Sequence, residues 1–86
     1  MANTLRARVR ERLLCRALPA PPADRSWAGP AAGTHTCAAC DEPIAGHDME
    51  FETQFPGEQV LFFHIACHYI WESTAHTLRI PKRPAC

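Results

Sequence analysis

Four residues that can bind a metal ion occur as two closely spaced pairs in this 86-residue chain. Two residues separate Cys37 from Cys40 and likewise His64 from Cys67, and 23 residues lie between the pairs. Zinc prefers thiolate and imidazole ligands and takes four of them in a tetrahedral arrangement. Two ligands with this spacing can reach the same ion from one tight turn. We therefore predict that one structural Zn²⁺ ion is bound by Cys37, Cys40, His64 and Cys67.

Other interpretations of these residues remain open. A CxxC pair is also typical of a redox-active disulfide, but that motif normally opens a helix after a strand. Here a proline and an alternating segment follow the pair instead. The cysteines could also be buried residues without a metal. His68 could replace His64 as the fourth ligand, although the matching spacing of the two pairs favours His64.

The residues between and after the two pairs predict the elements that must position them. Residues 48–55 alternate apolar and polar side chains, which is typical of a strand with one buried face. A Pro-Gly pair interrupts the pattern, and residues 59–63 resemble a second strand, so the two segments predict a β-hairpin. Residues 64–76 are long enough for a helix of about three turns. That helix would carry the second ligand pair in its first turn.

The first part of the chain predicts a basic amphipathic helix over residues 1–18, followed by a linker. Residues 19–33 are rich in proline, alanine and glycine and are expected to lack regular structure. Trp27 is expected to anchor this linker on an apolar surface. Residues 34–80 are the predicted zinc module, and residues 81–86 are a basic tail. The predicted fold is a small α+β zinc-stabilised domain preceded by this helix, whose apolar stripe consists of Leu5, Val9, Leu13 and Ala17.

A zinc knuckle, a hairpin and a helix in this order resemble the treble-clef zinc finger. The order CxxC then HxxC, with Phe63 before the histidine, is similar to the first half of a LIM domain. The resemblance covers residues 34–76 and implies a metal site, but treble clefs serve protein binding, nucleic-acid binding or structure alone. A LIM domain continues into a second CxxC module, whereas only Cys86 remains here, so we expect a solitary module. The sequence also resembles small bacterial zinc-binding proteins.

Charge is distributed unevenly along the chain, although the formal net charge is zero. Residues 1–36 hold six arginines against two acidic residues, and residues 37–76 hold seven acidic residues and no lysine or arginine. An apolar stripe on a short helix needs cover. We therefore expect the helix to pack on the zinc module of the same or a second chain, with its arginines turned outward. These arginines are candidate partner-binding residues: Arg6, Arg8, Arg10, Arg12 and Arg16.

Several classes of function are disfavoured. The chain has no apolar run of the length that crosses a bilayer and no secretory h-region, so we expect a cytoplasmic protein without membrane insertion. A fourth ligand closes the metal site, whereas catalytic zinc keeps a position open, so we do not expect an enzyme. The remaining prediction is a protein-interaction or regulatory module that binds an unidentified protein or a second copy. Nucleic-acid binding through the arginines is the alternative, disfavoured by the acidic centre.

Overall fold

The computed structural model describes residues 2–79, which form two helices and one three-stranded antiparallel sheet. The elements are α1 (Ala2–Leu14), β1 (Arg25–Pro30), β2 (Met49–Phe55), β3 (Gln59–His64) and α2 (Ile65–Thr77). β2 lies in the centre of the sheet, between β1 and β3. Neither of these two helices is long and apolar enough to cross a membrane. The two helices and the sheet confirm the predicted small α+β class. The basic tail expected at residues 81–86 lies outside the described residues.

Helix α1 ends earlier than the sequence predicts. Arg16 adopts a left-handed conformation with φ of 60°, and the amide of Ala17 donates a hydrogen bond of 2.8 Å to the carbonyl oxygen of Arg12. This is the Schellman pattern that terminates helices, here with arginine where glycine is usual. Ala17, which a longer helix would have placed on the apolar stripe, is exposed, whereas Leu18 turns back into the core.

The apolar stripe of α1 packs on the rest of the same chain. Val9 and Leu13 are 0% and 1% exposed, and they belong to one core cluster with Phe63 of β3 and Trp71 of α2. The indole Nε1 of Trp71 donates a hydrogen bond of 3.0 Å to the carbonyl oxygen of Pro19, which fastens the segment leaving α1. The expected docking of the helix is confirmed, within a single chain.

Leu13→Ala should therefore destabilise the protein strongly. The change leaves a cavity between α1 and the rest of the core, and such substitutions cost about 2–5 kcal/mol of unfolding free energy. Leu14→Ala is the matched control, because Leu14 is only half-buried and should cost about 1 kcal/mol or less. Urea unfolding of the two variants measures the difference. Equal losses would contradict the docking of α1 through its Val9–Leu13 face.

The prediction that residues 19–33 form a linker without regular structure is wrong for residues 25–30. These residues form strand β1 at the edge of the sheet. The composition was misleading because Pro30 is the last residue of an edge strand, where a missing amide donor is tolerated. Trp27 is 40% exposed and does not anchor the segment in the core. Its ring lies 5.6 Å from the guanidinium carbon of Arg25, within cation–π range.

Strand β2 has the predicted alternation only in part, because Met49, on the face expected to be buried, is 49% exposed, and the outer face has one buried exception. Thr53 and Phe55 are buried, as expected. Glu50 is also buried, at 6% exposure, although its position predicts a polar outer face. His35 covers it: the imidazole stacks on Phe62 with ring centroids 3.5 Å apart, and its Nδ1 lies 3.0 Å from a carboxylate oxygen of Glu50. The segment before the first cysteine thus lies against the outer face of the sheet.

Candidate metal centre

The first ligand pair lies in a tight turn whose base is closed by a β-bridge between Thr36 and Pro43. Inside the turn, the Asp41 amide donates a hydrogen bond of 2.9 Å to the carbonyl oxygen of Cys37. Asp41 has a φ of 65°, a left-handed conformation that aspartate tolerates better than most residues. This backbone reversal directly after Cys40 closes the tight turn that the CxxC spacing predicts. We refer to this turn, residues 36–43, as the knuckle.

The second ligand pair lies at the junction of β3 and α2. His64 is the last residue of β3 and the N-cap residue of α2, and Cys67 follows in the first helical turn. The knuckle is tied to this junction by a hydrogen bond of 2.8 Å from the Ala38 amide to the carbonyl oxygen of Phe62 in β3. The hairpin thereby brings together two ligand pairs that are far apart in sequence.

The four side chains meet in one group, whose ligand atoms all lie within 4.8 Å of one another. The Nδ1 atom of His64 is 3.4 Å from the Cys40 sulfur and 3.8 Å from the Cys67 sulfur. In a tetrahedral zinc site, with Zn–S of about 2.3 Å and Zn–N of about 2.0 Å, sulfur and nitrogen ligands lie roughly 3.5 Å apart. The observed distances fit four donors around a single ion, with His64 contributing Nδ1.

The thiols of this group disfavour one another's ionisation. Burial raises the pKa of Cys67, and negative charge on Cys37 and Cys40 raises it further. The pKa of Cys40 is raised chiefly by burial. Burial also acts to raise the pKa of Cys37, but amide hydrogen bonds to its sulfur outweigh that effect and lower the pKa. A divalent cation between the sulfurs would favour all three thiolates, so the electrostatics suit a metal-bound state.

The structure places His68 outside this group. Its ring is 4% exposed and stacks on Phe51, with centroids 3.8 Å apart. Its Nε2 atom lies 3.2 Å from the Ser26 hydroxyl, and its Nδ1 atom lies 3.1 Å from a carboxylate oxygen of Glu72. Burial lowers the pKa of His68, and the charge of Glu72 partly offsets that effect. His68 thus connects α2 with the sheet, while the group that could hold a metal ion contains His64.

One of the candidate partner-binding arginines contacts the knuckle instead of facing solvent. Arg12 donates hydrogen bonds to the carbonyl oxygens of Ala38, at 3.0 Å, and Ala39, at 3.2 Å. Its two terminal nitrogens also pair with the two carboxylate oxygens of Asp41. The prediction that the arginines of α1 turn outward is therefore wrong for Arg12, whose contacts lie within the chain.

The other arginines of α1 differ in their contacts. Arg8 donates a hydrogen bond of 3.0 Å to the carbonyl oxygen of Cys40, and Arg6 makes a longer one of 3.4 Å to the Ser73 hydroxyl. Arg10 is exposed. The sequence contains a signal for this difference, since Arg8 and Arg12 are four residues apart and therefore lie on the same side of the helix.

Comparison of the chain with models of protein families, with curated proteins and with solved structures finds no match. The assignment of the site therefore rests on the spacing and the geometry of its residues. Together these define a group of three cysteines and one histidine that can hold a metal ion.

Proposed function

We propose that this protein is a non-enzymatic interaction or regulatory module whose fold depends on one structural Zn²⁺ ion. The observation that carries the proposal is the four-donor group, with all ligand atoms within 4.8 Å of one another. Four protein donors complete a tetrahedral shell, so no position is left for a water molecule or a substrate, which a catalytic zinc requires. Three thiolates with one imidazole are a donor set typical of structural zinc.

The proposal includes a treble-clef-like arrangement for residues 34–76. The turn with the first ligand pair, the hairpin β2–β3 and helix α2 follow one another in the order of that zinc finger. Strand β1 and helix α1 are additions at the N-terminal side, and both pack on this module. The likeness to a LIM domain extends only to the order of the ligands, so we carry no partner over from it.

Exposed apolar side chains support a protein partner. Large apolar residues with at least 38% exposure occur on both faces of the sheet and on α2, and aromatic residues among them are typical of protein interfaces. The nucleic-acid alternative receives less support, because Arg8 and Arg12 already hydrogen-bond to the knuckle and binding to phosphates would compete with these contacts. The exposed apolar residues are Trp27, Met49, Val60 and Tyr69.

Native mass spectrometry of the purified full chain tests the metal assignment. We expect one zinc ion per chain, retained during dilution because structural zinc sites in small domains bind with about 10–16 kcal/mol of free energy at neutral pH. The control is the same sample after treatment with a strong chelator at acidic pH, which should lose the ion and the circular-dichroism signal of the folded chain. A folded protein that carries no metal before this treatment would refute the proposal.

A further inference from the structure

The proposed metal centre needs positive charge in its surroundings. One Zn²⁺ ion with three thiolates and a neutral imidazole carries one net negative charge. Asp41, directly after a ligand, adds a second. The whole segment from residue 37 to residue 76 contains no lysine or arginine. Within the described residues, a compensating lysine or arginine must therefore come from outside residues 37–76.

Helix α1 supplies that charge at the knuckle. The side chain of Arg12 is only 26% exposed, and it bonds to two carbonyl oxygens and to the carboxylate of Asp41. The hydrogen bond with Asp41 raises the pKa of Arg12 against the opposing effect of burial, and negative charge on Cys37 and Cys40 raises it as well. Arg8 adds a second cation one helical turn away, on the carbonyl oxygen of Cys40.

The particular carbonyl groups that Arg12 binds are informative. The Ala38 oxygen belongs to the same peptide group as the Ala39 amide, and the Ala39 oxygen belongs to the same peptide group as the Cys40 amide. Both peptide groups lie in the short segment that joins Cys37 to Cys40. Arg12 thus holds the oxygen ends of two peptide groups that determine how these two cysteines are placed relative to each other. A cation on the carbonyl oxygen of such a group polarises it and strengthens a hydrogen bond that its amide donates.

We propose that Arg12, assisted by Arg8, is a positioning residue of the metal centre and that the docking of α1 controls how firmly zinc is held. Arg12 orients the peptide groups that join Cys37 to Cys40 and supplies the charge that the anionic centre lacks. This inference rests on the structural zinc proposed above. A consequence is that any partner that draws these arginines away from the knuckle weakens zinc binding. The binding of a partner to α1 is thereby coupled to the retention of zinc.

Zinc transfer from the full-length, zinc-loaded protein to a chromogenic chelator tests this inference. Arg12→Gln should release zinc about 10- to 100-fold faster than the wild type, the range by which the loss of a group hydrogen-bonded to the ligand shell usually weakens metal binding. Arg10→Gln is the matched control, since it removes an exposed arginine from the same helix, and its release rate should equal that of the wild type. Arg12→Lys keeps the charge but loses the planar fork and should lie between them.

Two further readouts separate this role from mere packing of the helix. The ratio of the release rates of Arg12→Gln and wild type should shrink between low and high salt, because salt screens partly exposed charges. The thiolate-to-metal charge-transfer band of the Co²⁺-loaded protein should also shift in Arg12→Gln and not in Arg10→Gln. If Arg12→Gln fails to fold, Arg8→Gln and Arg12→Lys provide the same comparison. Equal release rates for the Arg12 and Arg10 variants would overturn the inference, whereas a wild type without zinc would refute the proposed function instead.

Discussion

Cys37→Ser is expected to leave the protein without metal and residues 34–76 without a stable fold. Cys37 is fully buried, and serine is a poor zinc ligand that would place an unpaired hydroxyl among the remaining thiols. Binding of structural zinc contributes about 10–16 kcal/mol of free energy at neutral pH. The total stability of a domain is only about 5–15 kcal/mol, so the loss of the ion exceeds what the small core can offset.

Circular dichroism and zinc content measure this loss together. Cys15→Ser is the control for metal content, because Cys15 lies in the turn after α1 and outside the group of four proposed ligands. That variant should retain one zinc per chain. Removal and return of zinc to the wild type should reproduce unfolding and refolding without any substitution. A Cys37→Ser protein with native circular dichroism would show that the metal is not what stabilises the fold.

His64→Ala is expected to weaken zinc binding, whereas His68→Ala is expected to lower the stability of the fold and leave zinc bound. His64 Nδ1 lies within ligand distance of two cysteine sulfurs, so His64→Ala removes one of four donors. We expect zinc affinity to fall by more than about 100-fold, because even groups outside the ligand shell account for 10- to 100-fold. His68→Ala leaves the four donors in place but removes a ring packed against Phe51, so it should cost about 2–5 kcal/mol of unfolding free energy while zinc stays bound.

Competition with a chelator of known zinc affinity measures the first effect, and denaturant unfolding of the zinc-loaded protein measures the second. His47→Ala is a suitable control for both, because the side chain of His47 is 86% exposed. It should change neither quantity. If His68→Ala lost zinc and His64→Ala kept it, the fourth ligand would be His68, and the second ligand pair would be built differently from the arrangement described above.

The four proposed ligands could be predicted from the sequence because the spacing that identifies them lies within short segments of the chain. Each pair needs only one turn of chain, and the spacing of Cys37 with Cys40 and of His64 with Cys67 is sufficient to specify such a turn. The alternating segment likewise predicted the hairpin, since a side chain's neighbours along a strand follow from the period of that element. The length of residues 64–76 predicted α2. These parts of the chain needed no knowledge of distant partners.

Other features were decided only by tertiary structure. Strand β1 exists because its backbone pairs with β2, a partner that the Pro- and Gly-containing composition of residues 19–33 does not reveal. The burial of Glu50 depends on His35, which reaches it from a separate segment.

The contacts of Arg12 belong to the same group of features. On a helical wheel, Arg12 is one basic residue among several, and α1 had to dock before its guanidinium could meet the carbonyl oxygens of Ala38 and Ala39. Spacing along the chain therefore determined which residues can bind the metal. The three-dimensional packing of α1 on the knuckle determined which charged residue lies beside them, because only folding brings together groups more than twenty residues apart in sequence.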